Sequence, residues 1–154
     1  MIYIGIDPGA TGAVAMICRM DVTVRPFDDG LDELDAIDVS NHGCYAVVER
    51  GHAMPKQGIT SAFKFGQSCG RAIGWCEALG FPFVMVYAKD WQRMMLNGEP
   101  RKTRPERKKA SIRVAQRLFP GVDLTLGKGK TPKDGASDAL LIAEFARRTI
   151  GNNG

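Results

Sequence analysis

IGIDPGATGAV, residues 4–14, is an apolar run that closes on an acid, turns through Pro8 and Gly9, and restarts as a second apolar run after Thr11 and Gly12. Two strands joined by a tight turn fit this pattern. An acid at the end of a buried strand then has three possible duties. Asp7 coordinates a metal ion, helps cradle a nucleotide phosphate, or simply begins the turn. The rest of the chain has to choose.

Outward from this hairpin, Ile2 to Ile6 reads as a buried strand, Gly12 to Cys18 as a second and Val22 to Arg25 as a short third, an antiparallel meander. LDELDAID (31–38) reads as a short acidic amphipathic helix, and CYAVVER (44–50) as a strand that again ends in an acid, Glu49. Gly51, Pro55 and Gly58 break the loop that follows. Residues 59–79 carry a helical pattern, with Phe65, Cys69, Ala72, Cys76 and Leu79 on one stripe. Beside it run Gly66, Gly70 and Gly74. Each glycine costs a helix about 1 kcal/mol against alanine, so three in register imply a closely approaching backbone, that of the sheet or of a second subunit.

FPFVMVY (81–87) is a fifth strand, followed by a short helix with Trp91, Met94 and Met95. A basic, proline-broken linker (98–106), a helix from Glu106 to Phe119, a Gly/Lys loop (127–133) and a final helix from Asp134 complete the pattern. Three early strands, then strands alternating with helices, make a mixed-sheet α/β domain.

A chain of 154 residues, 44% hydrophobic and 25% charged, fits one globular domain over 1–150 with a short tail at 151–154. No run approaches the ~18–20 apolar residues of a membrane span. No basic leader precedes the first strand, so a cytoplasmic protein without a membrane partner is expected. Cys18, Cys44, Cys69 and Cys76 are widely spaced without a CxxC pair, which fits free thiols better than disulfides or zinc. Charge is uneven. Residues 1–100 hold 8 Lys/Arg against 12 Asp/Glu (−4), and residues 101–154 hold 13 against 5 (+8), giving the net +4. A basic half fits an anionic partner, nucleic acid first, although a solvated basic face has the same composition.

The final helix narrows the choice. On a wheel, Asp138 shares a face with Leu141, Ile142 and Phe145, one turn after Asp134. A carboxylate on an inward stripe needs a cation, a strong hydrogen-bond set or a raised pKa. Asp134 has an alternative as an N-cap. If the first and fourth strands are neighbours, Asp7 and Glu49 converge, and the start of the last helix can deliver Asp134 and Asp138 beside them. Four such acids call for positive charge between them. An all-oxygen set suits Mg²⁺ or Mn²⁺, and two such ions can serve phosphodiester hydrolysis. On the helix from Glu106, Lys108 lies in line with Ile112, Ala115 and Phe119, whereas Lys109 shares the polar face with Arg113 and Gln116. Lys108 either snorkels to solvent or points its ammonium at the acids.

IGIDPGATGAV also resembles the first phosphate-binding hairpin of actin-like ATPases and sugar kinases. That reading needs two such domains around a nucleotide and gives Glu49, Asp134 and Asp138 no joint purpose, so no nucleotide cofactor is expected.

Taken together, IGIDPGATGA, VVER and DGASDALLIA resemble, in order and placement, the three acidic motifs of RuvC-type Holliday junction resolvases, a branch of the ribonuclease H-like nucleases. AVVERGHAMPKQG, FKFGQSCGRAIG and KDWQRMML look most similar to the bacteriophage and chloroplast resolvases, and KKASIRVAQRLFP to their lysine-bearing helix. The resemblance implies a ribonuclease H-like fold, an α/β domain whose five-stranded mixed sheet (antiparallel meander, then parallel strands) is flanked by helices. It implies a homodimer that binds a four-way DNA junction and cuts two opposed strands symmetrically. Asp7, Glu49, Asp134 and Asp138 would be both catalytic and metal ligands, for two Mg²⁺ or Mn²⁺ ions per site, with Lys108 as the catalytic lysine. The last two acids stand four apart, as in the chloroplast type, where bacterial members commonly place them three apart. His52 stands where bacterial members carry a wedge phenylalanine. Lys56, Arg101, Lys102, Arg104, Lys109, Lys128, Lys130 and Lys133, with His52, are the expected DNA contacts, giving salt-sensitive affinity without sequence reading. Two other classes stay open: a ribonuclease H-like nuclease acting on other branched DNA or on RNA, and a non-catalytic DNA-binding scaffold.

Overall fold

Alternation along β1 (Ile2–Asp7) sends Ile2, Ile4 and Ile6 into one apolar layer and Tyr3, with Gly5 and Asp7 in phase, toward the other. In this computed structural model, which describes residues 1–37, 43–51, 58–127 and 129–151, β1 lies at the centre of the sheet. It pairs antiparallel with β2 (Ala13–Cys18), with Asp7 opposite Ala13. It pairs parallel with β4 (Cys44–Arg50), with Ile6 opposite Val48, so the next pair along is Asp7 and Glu49. β3 (Asp21–Pro26) extends the meander beyond β2, and β5 (Phe83–Tyr87) adds in parallel beyond β4. The order β3-β2-β1-β4-β5 is the mixed sheet expected from the sequence.

One face packs on α1 (Phe27–Leu34) and α2 (Ile59–Ala78). The other is covered by α3 (Ala88–Met95), α4 (Arg104–Leu118) and α5 (Asp134–Ile150). Two helices begin earlier than expected. The acidic helix starts at Phe27 and ends at Leu34, ahead of the expected 31–38, because Phe27, Leu31 and Leu34 form its buried stripe. Helix α4 starts at Arg104, where Thr103 and Glu106 make a reciprocal capping box (3.3 and 2.9 Å) and Pro105 occupies the first turn.

Glycine shows where backbones really touch. A Cβ on Gly5 would collide with the backbone of Ala139 and Ala143, so α5 lies directly on β1. A Cβ on Gly135 would collide with the Thr11 carbonyl, seating the first turn of α5 on the β1–β2 turn. Gly66, Gly70 and Gly74 behave differently. A Cβ on any of them meets nothing within 4 Å, so the sheet is not the backbone they accommodate. All four cysteines are free. Among the described helices, none is long and apolar enough to cross a membrane.

Candidate active site

The close seating of α5 on β1 brings its N-terminal turn to the ends of β1 and β4. Asp7 and Glu49 close adjacent parallel strands, in phase with the residues that face α5, and Asp134 and Asp138 open that helix. Asp7 and Asp138 respond to the acids around them. Burial first, then the charges of Asp138, Glu49 and Asp134, push the Asp7 carboxyl well above its usual range, while Lys108 pulls the other way. Asp138 is pushed up to about 7, by burial above all and then by Glu49 and Asp134. The Ser111 hydroxyl, which donates to it, and the Lys108 ammonium oppose that rise.

Each acid has a different neighbour. Trp91 Nε1 donates to Glu49 Oε2 at 2.8 Å from the buried face of α3. Lys108 Nζ lies 2.5 Å from Asp134 Oδ2. Asp134 is the first residue of α5, following Lys133 at the N-cap, so its carboxylate caps nothing and is spent on the ion pair. Asp138 Oδ1 is buried without a hydrogen-bond partner. A buried carboxylate oxygen left over in this way, inside an all-oxygen acid set, fits a hard divalent cation. Among the described residues, no three His, Cys, Asp or Glu side chains are gathered tightly enough to hold an ion as they stand.

Lys108 points at the acids, as one of its two readings required, but from another position on α4. The buried face of that helix is Ala110, Ser111, Val114 and Ala115, and the Lys108 side chain is 46% exposed at its rim. A flexible stem carries the ammonium across to α5. Lys109 is exposed.

The expected DNA contacts are scattered around this centre. Arg101 Nη1 donates to the Gln92 carbonyl at 2.7 Å, tying the linker to α3. Lys102, Arg104 and Lys130 are exposed and Lys133 is half-buried. His52, Lys56 and Lys128 lie outside the described residues. The sequence reading missed Ser111, Trp91, Gly5 and Gly135 as parts of the site. Ser111 had a signal, three residues after Lys108 and so on the same side of the helix. A groove lined by Ala10, Ser61, Lys64, Phe65, Ser68 and Arg71 runs between α2 and the β1–β2 turn.

No family model matches this chain, and no curated protein does. Among solved structures it is similar to T. thermophilus RuvC in complex with Holliday junction substrate, with a TM-score of 0.59 and 16% identity over 98% of this chain and 97% of that one. A second Thermus thermophilus RuvC structure gives a TM-score of 0.56, again at 16% identity over 98% and 97%. The chain therefore has the RuvC fold, a ribonuclease H-like α/β architecture, as the three short motifs led one to expect.

Proposed function

We propose that this RuvC-fold chain is a homodimeric endonuclease that resolves four-way DNA junctions by symmetric hydrolysis of two opposed phosphodiesters. The observation that carries the reading is the Asp7–Asp138 relationship. Burial and the charges of neighbouring acids push both carboxyls upward, Asp138 acting on Asp7, and Asp138 keeps an unpartnered buried oxygen. Repulsion of this kind is destabilising unless the acids hold a proton or share a cation. The likeness to a structure of RuvC in complex with Holliday junction substrate supports branched DNA as the target.

Asp7, Glu49, Asp134 and Asp138 would hold two Mg²⁺ or Mn²⁺ ions. A divalent cation, when bound, supplies Lewis acidity toward the phosphodiester and lowers the pKa of the attacking water. The chain's own groups do the rest. Trp91 fixes the rotamer of Glu49, and Ser111 fixes that of Asp138, so the acids meet their load already aligned. Lys108, held at the rim by Asp134, offsets negative charge that develops on the phosphoryl oxygens. Water adds to phosphorus as the bond to the 3′-oxygen breaks, leaving a 5′-phosphate and a 3′-hydroxyl without a covalent intermediate. Exposed Lys102, Arg104, Lys109 and Lys130, with Lys133 and Arg101, would follow the backbone of the arms.

Dimerisation has a surface available. Ile59 (89% exposed), Phe63 (66% exposed), Gly66, Gly70 and Gly74 follow one another along one exposed side of α2. An apolar end and a smooth glycine run suit a second copy of the same helix at close range.

The test is a cleavage assay on a synthetic four-way junction, a linear duplex and an RNA–DNA hybrid, with Mg²⁺, Mn²⁺ or chelator. Paired symmetric nicks in the junction alone, abolished by chelator, are expected. Preferential cutting of the hybrid would replace the proposal with a ribonuclease.

A further inference from the structure

The acids occupy one face of the sheet; the opposite face carries a separate cationic feature at the same strand ends. Arg50 follows Glu49 and pairs in register with Tyr87, the last residue of edge strand β5. Strand alternation turns Arg50 away from the α5 side, in phase with buried Ala46 and Val48. The Arg50 guanidinium lies over the Tyr87 ring, 5.2 Å from its centroid. Lys89, in the first turn of α3, places its ammonium 5.5 Å from the same centroid. One half-exposed ring thus gathers two cations. Among the described residues neither cation is in an ion pair, whereas Arg71 is engaged by Asp28, Arg113 and Arg117 by Glu99, and Arg147 and Arg148 by Glu144.

Both cations lie on one ring without an ion-pair partner among the described residues, and a cation–π contact at an exposed ring returns only about 0.5–1 kcal/mol. An arrangement of this kind is satisfied by an external anion. The ring holds both charges beside it, with Arg50 one residue beyond a proposed metal ligand and on the far side of the strand from it.

We infer that Arg50, Tyr87 and Lys89 form a phosphate-binding subsite that grips the sugar–phosphate backbone of the DNA strand as it leaves the acidic cluster over the β5 edge. The inference rests on the proposed nuclease reading. It adds a contact of fixed geometry to the loop cations, with Tyr87 as a platform that orients both charges and offers its open edge to the deoxyribose. The subsite takes backbone and not base, so it holds any sequence equally and contributes to positioning of the scissile bond.

Junction binding measured in chelator separates the possibilities. Relative to wild type, the Arg50→Ala/Lys89→Ala double variant is expected to bind a four-way junction at least ~10-fold more weakly, with the log–log salt slope reduced by about 2. Arg93→Ala, which removes an exposed cation from the same α3 helix, should change binding less than 2-fold on the order expected for an unplaced charge. Tyr87→Phe should bind as wild type, Tyr87→Ala should lose affinity, and Arg50→Lys/Lys89→Arg should restore most of what the alanines lose. A neutral methylphosphonate scanned along the strand should weaken wild type at the subsite phosphate and leave the double variant unaffected there. If wild type binds the junction and the double variant binds it equally with the same salt slope, the subsite is refuted while the nuclease reading stands. Affinity that falls only in step with melting temperature, with no rescue by the swapped pair, also refutes it. If wild type binds no four-way junction, both fall.

Discussion

Lys108 Nζ and Asp134 Oδ2 stand 2.5 Å apart, joining the rim of α4 to the first residue of α5. Both side chains are partly exposed, so the pair contributes only ~0–1 kcal/mol to stability. Its consequence is positional: it parks a cation where it opposes the raised titration of Asp7 and Asp138.

Lys108→Ala should therefore lower kcat for junction cleavage by about 10²-fold, the cost typical of removing one charge-stabilising donor, and leave the melting temperature nearly unchanged. Lys109→Ala, exposed on the same helix, should cost only a few-fold. Steady-state cleavage kinetics and thermal melting, run side by side, check both. Equal losses from the two lysines would contradict the assignment.

Asp7 and Asp138 hold their protons more tightly in the folded chain than in the unfolded one, where aspartate titrates near ~3.9. The folded state then binds more protons, so their contribution is greatest below that value and is lost as pH rises through about 7 for Asp138. Melting temperature of the metal-free protein should fall between pH 5 and pH 8 (~5–8 being the window set by these shifts). Mn²⁺ should restore it at the upper end and do little at the lower end. Glu99, Glu106, Asp123 and Glu144 are shifted downward, so their contribution is lost only on further acidification.

Asp138→Asn removes the charge that burial opposes. It should stabilise the metal-free fold at pH 8 by roughly 1–3 kcal/mol, flatten the pH profile, and abolish cleavage, a trade of activity for stability. Denaturant unfolding with a parallel cleavage assay measures both halves.

Trp91→Phe keeps most of the buried ring and deletes the donor to Glu49. A roughly 10–100-fold loss in metal affinity or activity is expected, as for other groups that orient a ligand. Activity titrated against Mg²⁺ should show the loss partly repaired at high metal.

Gly5→Ala and Gly74→Ala should move stability in opposite directions. The first drives a methyl into the backbone of Ala139 and Ala143 and should cost ~3 kcal/mol or more. The second meets nothing within its own chain and should stabilise α2 of the monomer by about 0.4–1 kcal/mol. Gly74→Leu should shift sedimentation toward monomer if α2 meets a second copy.

The same glycines show where sequence reading runs out. A four-residue period put Gly66, Gly70 and Gly74 on one stripe, but a period does not say which side of a helix the sheet covers. Gly5 gave no periodic signal, yet it is the residue that lets α5 settle on β1. The strand-end acids were legible because hydrophobic runs that stop at Asp7 and Glu49 fix both phase and position. The helix wheel carried Asp138 for the same reason. It misplaced Lys108 by assuming an inward stripe through Ile112 and Phe119, whereas the buried face runs through Ser111 and Val114. Trp91 and Glu49 lie 42 residues apart, and no local pattern pairs an indole with a carboxylate over that distance.

The central claim is that Asp7, Glu49, Asp134 and Asp138 share divalent cations. Calorimetric titration of the purified protein with Mn²⁺ at pH 8, repeated on Asp7→Asn and Asp138→Asn, tests it most directly. Saturable binding of two ions per chain, weakened at least ~10-fold in each variant, is the expected result. Manganese binding that both variants retain undiminished would contradict the account.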